Sequence, residues 1–186
     1  MIATLFVVFA FASSALGDCP VPPKAPGADI GKIAGRWYEI AGPTAHQISP
    51  NLTCITEDFN LRKDGNFNLT VLSTFQNGSK HVEYGLAGRT DAQNSLNLYP
   101  MGYKTPYLLT FYIADTDYDN YLAAYACYTD VGRSTIQGGL ILSRTNTMSA
   151  DKYAELIHLL VNKIGVSSDS VGPIVQSGCK YWPVLQ

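Results

Sequence analysis

The common catalytic signatures are missing from this chain. It has no G-x-S-x-G, no phosphate-binding G-x-x-x-x-G-K-[ST], no H-E-x-x-H and no G-x-G-x-x-G. Charge is scarce too: Asp, Glu, Lys and Arg make up 15% of residues, with a net charge of −2 and both signs interspersed. No basic stripe exists to hold nucleic acid or an anionic membrane. Cysteine is limited to four, with no C-x-x-C pair and no histidine beside one, which argues against a zinc knuckle. The apolar run at the start of the chain is shorter than the ~20 residues needed to cross a bilayer, so no membrane span is expected.

That run has another reading. Residues 1–17, MIATLFVVFAFASSALG, are uncharged, apolar from Ile2 to Ala12, and end in small residues. This is the pattern of a secretory signal peptide with its cleavage site, leaving residues 18–186 as one extracellular domain. In that compartment Cys19, Cys54, Cys127 and Cys179 read as two disulfides, and spacing alone leaves all three pairings open. Three sequons, at Asn51, Asn68 and Asn77, become glycosylation candidates.

Residues 18–29 are proline-rich and read as an extended arm. Short runs rich in Tyr, Phe, Val, Ile, Leu and Thr follow, broken by turn clusters such as Lys63–Asn66 and Gln76–Ser79. They predict strands near 35–43, 53–62, 66–75, 80–89, 94–100, 106–115, 120–128 and 135–144. A consecutive antiparallel meander of this size avoids exposed edges by closing into a barrel, and a barrel of about eight strands encloses room for one small ligand. Within 66–75, Phe67, Leu69, Val71 and Phe75 alternate with polar residues, and a glycan on Asn68 would point outward, so the Phe67 set faces in. Only 150–164 has helical period: Tyr153, Leu156, Ile157, Leu160 and Ile164 share one face, Ser149 suits the N-cap and Gly165 the C-terminal stop. This amphipathic helix is expected outside the barrel, followed by a short closing strand near 173–177.

Two further motifs carry a resemblance. Gly35-Arg36-Trp37-Tyr38-Glu39-Ile40 opens the first strand, and Thr116-Asp117-Tyr118 lies between the sixth and seventh. With Arg144 ending the eighth, the three resemble the signatures of the lipocalins, in particular the branch of apolipoprotein D, the insect bilin-binding proteins such as insecticyanin, and the crustacyanin subunits. The resemblance implies an all-β, eight-stranded antiparallel up-and-down barrel with one helix outside, and the bridges Cys19–Cys127 and Cys54–Cys179. Physically, Trp37 can plug one end of the barrel beneath the Arg144 guanidinium, and Asp117 can cap N–H groups of a tight turn. Gly35, Trp37, Thr116, Asp117, Tyr118 and Arg144 are thus structural.

The function expected is that of a secreted, non-enzymatic carrier of a small hydrophobic molecule such as a fatty acid, retinoid, sterol, carotenoid or bilin. It requires no cofactor, although a carotenoid or bilin chromophore would make it a pigment-protein subunit, and homo- or hetero-oligomers fit this type of protein. An antioxidant or isomerising enzyme is the rival, with Met101 as its best-placed reactive side chain. Aromatic walls suit such ligands, so the expected pocket comprises Phe67, Leu69, Phe75, Tyr84, Phe111 and Tyr125, with His46 near the mouth. His81 is expected at a rim, and His158 on the polar helix face.

Overall fold

The computed structural model describes residues 29–43, 52–92, 94–102, 108–128 and 136–183. Strands β1 (Gly35–Gly42), β2 (Leu52–Leu61), β3 (Phe67–Phe75), β4 (Lys80–Arg89), β5 (Ser95–Pro100), β6 (Leu109–Thr116), β7 (Tyr121–Tyr128) and β8 (Ile136–Ser143) form an antiparallel meander. Strand β1 pairs with both β8 and β2, so the sheet closes on itself. The described residues therefore form a closed eight-stranded barrel with a single α-helix outside it, as the sequence pattern predicts. Residues 1–17, Cys19, His46 and Asn51 lie outside the described residues, and with them the signal segment and the Cys19–Cys127 bridge.

Register fixes which side chains face in. Phe67, Leu69, Val71 and Ser73 of β3 stand opposite Ala87, Gly85, Glu83 and His81 of β4, all on the inner face. Asn68 is exposed on the outer face. The turns follow their local chemistry: Asp64 accepts from the Asn66 amide, Asn77 from the Ser79 amide, and Gly65 and Gly78 take the positive φ that these corners need.

Helix α1 (Ala150–His158) begins at Ser149, whose hydroxyl accepts from the Lys152 amide. The expected single helix over 150–164 is instead α-helical to His158 and then widens into π turns over Leu159–Ile164, stopping at Gly165 in the left-handed region. Its apolar face packs Leu156 and Leu160 on Ala123 and Tyr125 of β7 and Ile141 of β8. Strand β9 (Gly172–Pro173) is shorter than the expected 173–177, yet its neighbours still bond. The Ile174 amide donates to Ile40, and the Cys54 amide to Val175. The tail is then held by the Cys54–Cys179 disulfide and by Arg36, which pairs with buried Asp58 and donates to the Trp182 carbonyl.

One end of the barrel is shut. Trp37 is fully buried and donates its indole N–H to the Ile33 carbonyl in the turn below β1, at 2.7 Å. The Arg144 guanidinium lies 3.6 Å above the indole ring and donates to the carbonyls of Lys32, Ala34, Arg36 and Tyr118 at 2.9–3.1 Å. Gly35 has no freedom to be another residue: its φ is +98° and a Cβ would stand 3.2 Å from Arg144. Asp117 accepts from the amides of Asn120 and Tyr121 and so holds the β6–β7 turn that presents the Tyr118 carbonyl.

Replacing Arg144 with Ala removes a cation–π contact and four charge-assisted hydrogen bonds together, and should cost about 2–4 kcal/mol, or ~5–15 °C in melting temperature. Lysine, a single ammonium, cannot reproduce the fork and should recover less than half of the loss. Thermal unfolding by circular dichroism measures both; an Ala variant as stable as the parent would show that the end is closed without Arg144.

Candidate functional site

With Trp37 closing one end, the interior opens towards the other, where Pro43 follows β1, Gln76 follows β3 and Pro100 ends β5. A cavity of about 530 Å³ lies there, within the ~300–1,000 Å³ range of small-molecule sites. Its apolar wall comes from Ile55, Leu69, Val71, Leu98, Leu109, Phe111, Ala126 and Leu140, contributed by β2, β3, β5, β6, β7 and β8. Below it, Phe59 and Phe67 meet edge-on at 6.0 Å and fill the floor above Trp37.

One stretch of the lining is acidic. Glu39 of β1 and Glu57 of β2 both line the cavity while only 6% and 7% exposed. They share the inner face because Trp37 stands opposite Glu57 in the β1–β2 register and Glu39 follows two residues on. Burial pushes the Glu39 carboxyl well above its ordinary range, with the neighbouring Glu57 charge adding to the effect. Burial likewise pushes Glu57 up to about 7. Glu83 of β4 completes the acidic side and is engaged by His81 at 2.9 Å. Ser73 lines the same region, 1% exposed, and its hydroxyl has no hydrogen-bond partner.

The tail positions this wall. Strands β1 and β2 part beyond Tyr38 and Thr56, and Gln176 fills the gap by donating its amide to the carbonyls of both Glu39 and Ile55 at 2.8 Å. Tyr181 in turn donates to the Gln176 side-chain oxygen. Gly42 leaves the room in which the Glu39 carboxyl sits, since a Cβ there would fall 1.6 Å from Glu39 Oε1.

The residues expected to form the pocket are divided by the structure. Leu69 and Phe111 line the cavity, whereas Phe67 faces in but belongs to the packed floor. Phe75 meets the His81 ring at a tilt of 60° with centroids 5.3 Å apart, and is not among the lining residues. Tyr84 touches the rim, yet it stands opposite Thr70 on the outer face and is 52% exposed. Tyr125 must be corrected as well. It is buried on the outer face of β7, stacked on Tyr112 beneath the helix. Met101 is exposed after β5, and His158 is exposed on the helix. Sequence reasoning missed Glu39, Glu57 and Glu83. For Glu39 the signal was present: alternation from a buried Trp37 puts it inside.

Residues 34–176 match the model of the lipocalin / cytosolic fatty-acid binding protein family. Apolipoprotein D of Mus musculus is 27% identical over 168 residues, covering 88% of this chain and 85% of that protein. Among solved structures, apocrustacyanin C2 superposes with a TM-score of 0.66 at 17% identity, covering 85% of this chain and 91% of that one. Lobster apocrustacyanin A1 gives 0.65 at 17% identity, covering 87% and 93%. At such identity the structural likeness establishes the fold alone.

A carboxyl whose pKa is raised on folding stabilises the protein while protonated. That contribution is complete below the unfolded value of 4.5 and is lost as pH rises towards about 7 for Glu57. The Glu57→Gln variant should therefore lose less stability than the parent between about pH 5 and about pH 8. At about pH 8 it should be the more stable, by on the order of 2 kcal/mol. Paired melting curves decide the matter, and parallel pH slopes would contradict the buried, proton-holding state of Glu57.

Proposed function

This chain belongs to the lipocalin / cytosolic fatty-acid binding protein family, and from that premise we propose that it is a secreted carrier that takes up one small hydrophobic molecule and performs no chemistry on it. The observation that carries this reading is the cavity itself: about 530 Å³ with a largely apolar wall, sealed by Trp37 at one end and open at the other. Leu69, Val71, Leu98, Phe111 and Leu140 would hold the apolar body of the ligand, while the mouth residues govern entry. Secretion is supported by the uncharged apolar segment over residues 1–17 and by the Cys54–Cys179 bridge. Exposed Asn68 and Asn77 could each bear a glycan without intruding on the cavity.

Uptake is measured with Nile red, a neutral probe that brightens in apolar surroundings. Leu69→Trp, which projects an indole into the cavity, should weaken Nile red binding by about tenfold or more while the melting temperature stays within a few degrees. Lys63→Ala, in the exposed turn between β2 and β3 and away from the lining, should leave affinity unchanged. Equal loss in both variants, or loss in neither, would place the bound molecule elsewhere.

A further inference from the structure

Two buried carboxyls, Glu39 and Glu57, sit inside a largely apolar cavity with little to answer them. Among the described residues that line it there is no lysine or arginine, and its one histidine, His81, is already paired with Glu83. The side chains of Glu39 and Glu57 make no ion pair or hydrogen bond with the described residues, although each residue is more than nine-tenths buried. Ser73 adds an unpartnered hydroxyl on the same wall. A charge or polar group withdrawn from water in this way is costly unless something compensates it. The scaffold nonetheless holds the arrangement firmly, through Gln176 on the Glu39 backbone and Gly42 beneath the Glu39 carboxyl.

We propose that the cavity is built for a cationic amphiphile: a lipophilic amine whose ammonium group sits between Glu39 and Glu57, with Ser73 as a further acceptor, and whose apolar body lies along Leu69, Leu98, Phe111 and Leu140. This rests on the carrier reading above and narrows it to a class of ligand. The positive head supplies the counter-charge that the protein withholds, and its N–H donors match acceptors that are otherwise idle. An anionic ligand meets the reverse situation, since the lining offers a fatty carboxylate no lysine or arginine, and its charge would make ionising the neighbouring Glu39 and Glu57 costlier still.

Three ligands with the same ten-carbon tail separate the possibilities: decylamine, decanol and decanoate, each titrated by calorimetry into the intact secreted chain at about pH 7.5 and by displacement of Nile red. Decylamine should bind about tenfold to a hundredfold more tightly than decanol, and decanoate more weakly than either. In the Glu39→Gln/Glu57→Gln double variant, whose amides keep shape and remove charge, the amine should lose this advantage while decanol binds as before. Decanoate binding as well as decylamine, or decanol matching it, would overturn the proposal and leave the carrier reading standing. An amine preference that survives in the folded double variant would also overturn it. If Nile red and all three ligands fail to bind the folded parent, the carrier reading falls and this inference with it.

Discussion

The Arg144 guanidinium resting on the Trp37 indole is the contact on which the rest of the molecule depends. An eight-stranded barrel is wide enough that its ends must be dealt with separately. Here one fork-shaped cation gathers carbonyls from the turn before β1, from β1 itself and from the β6–β7 turn onto a single aromatic plate. Gly35 and the turn held by Asp117 follow from this contact. The first must leave space beside the guanidinium, and the second must bring the Tyr118 carbonyl to it. With that end sealed and the Phe59–Phe67 floor packed above it, the cavity inside the barrel lies towards the opposite end. The protein is a cup, with its lining assigned to Leu69, Leu98, Phe111 and Leu140.

The tail is part of the cup's wall. Strands β1 and β2 do not pair along their whole length, and the gap between them is closed by the short strand β9, which pairs with Ala41 and Gly42 of β1, and by Ile174, Val175 and Gln176 after it. The Cys54–Cys179 bridge keeps this segment in place, and Arg36 adds a second hold through Asp58 and Trp182. Because Gln176 grips the Glu39 carbonyl, the covalent staple at the surface and the carboxyl in the cavity belong to one structural unit. Loosening the tail would disturb the acidic side of the cavity before the apolar side.

Most of the architecture was legible in the sequence because barrel strands obey simple rules. Period-two alternation in β3 gave the correct facing for Phe67 and Leu69, and turn chemistry at Asp64-Gly65 and Asn77-Gly78 set the hairpins. Alternation failed where the environment outside the barrel is not water. Strand β7 reads YLAAYACY, apolar on both faces, because the helix covers its outer side; Tyr125 and Ala124 therefore look alike in sequence while facing opposite ways. Tyr84 failed for the complementary reason. The interior accepts the carboxyl of its neighbour Glu83, and the tyrosine is turned out. Glu57 lies in Thr-Glu-Asp, where both faces of β2 carry polar groups, and only the register with Trp37 resolves it.

The central claim is that the cup is the binding site and that the two apolar clusters, inside the barrel and under the helix, are distinct. Methyl-resolved NMR of the protein titrated with a neutral apolar ligand tests this directly. Saturable shifts are expected at the methyl groups of Leu69, Leu98 and Leu140, with Leu156 and Leu160 beneath the helix unmoved. Shifts concentrated at Leu156 and Leu160 would contradict the claim.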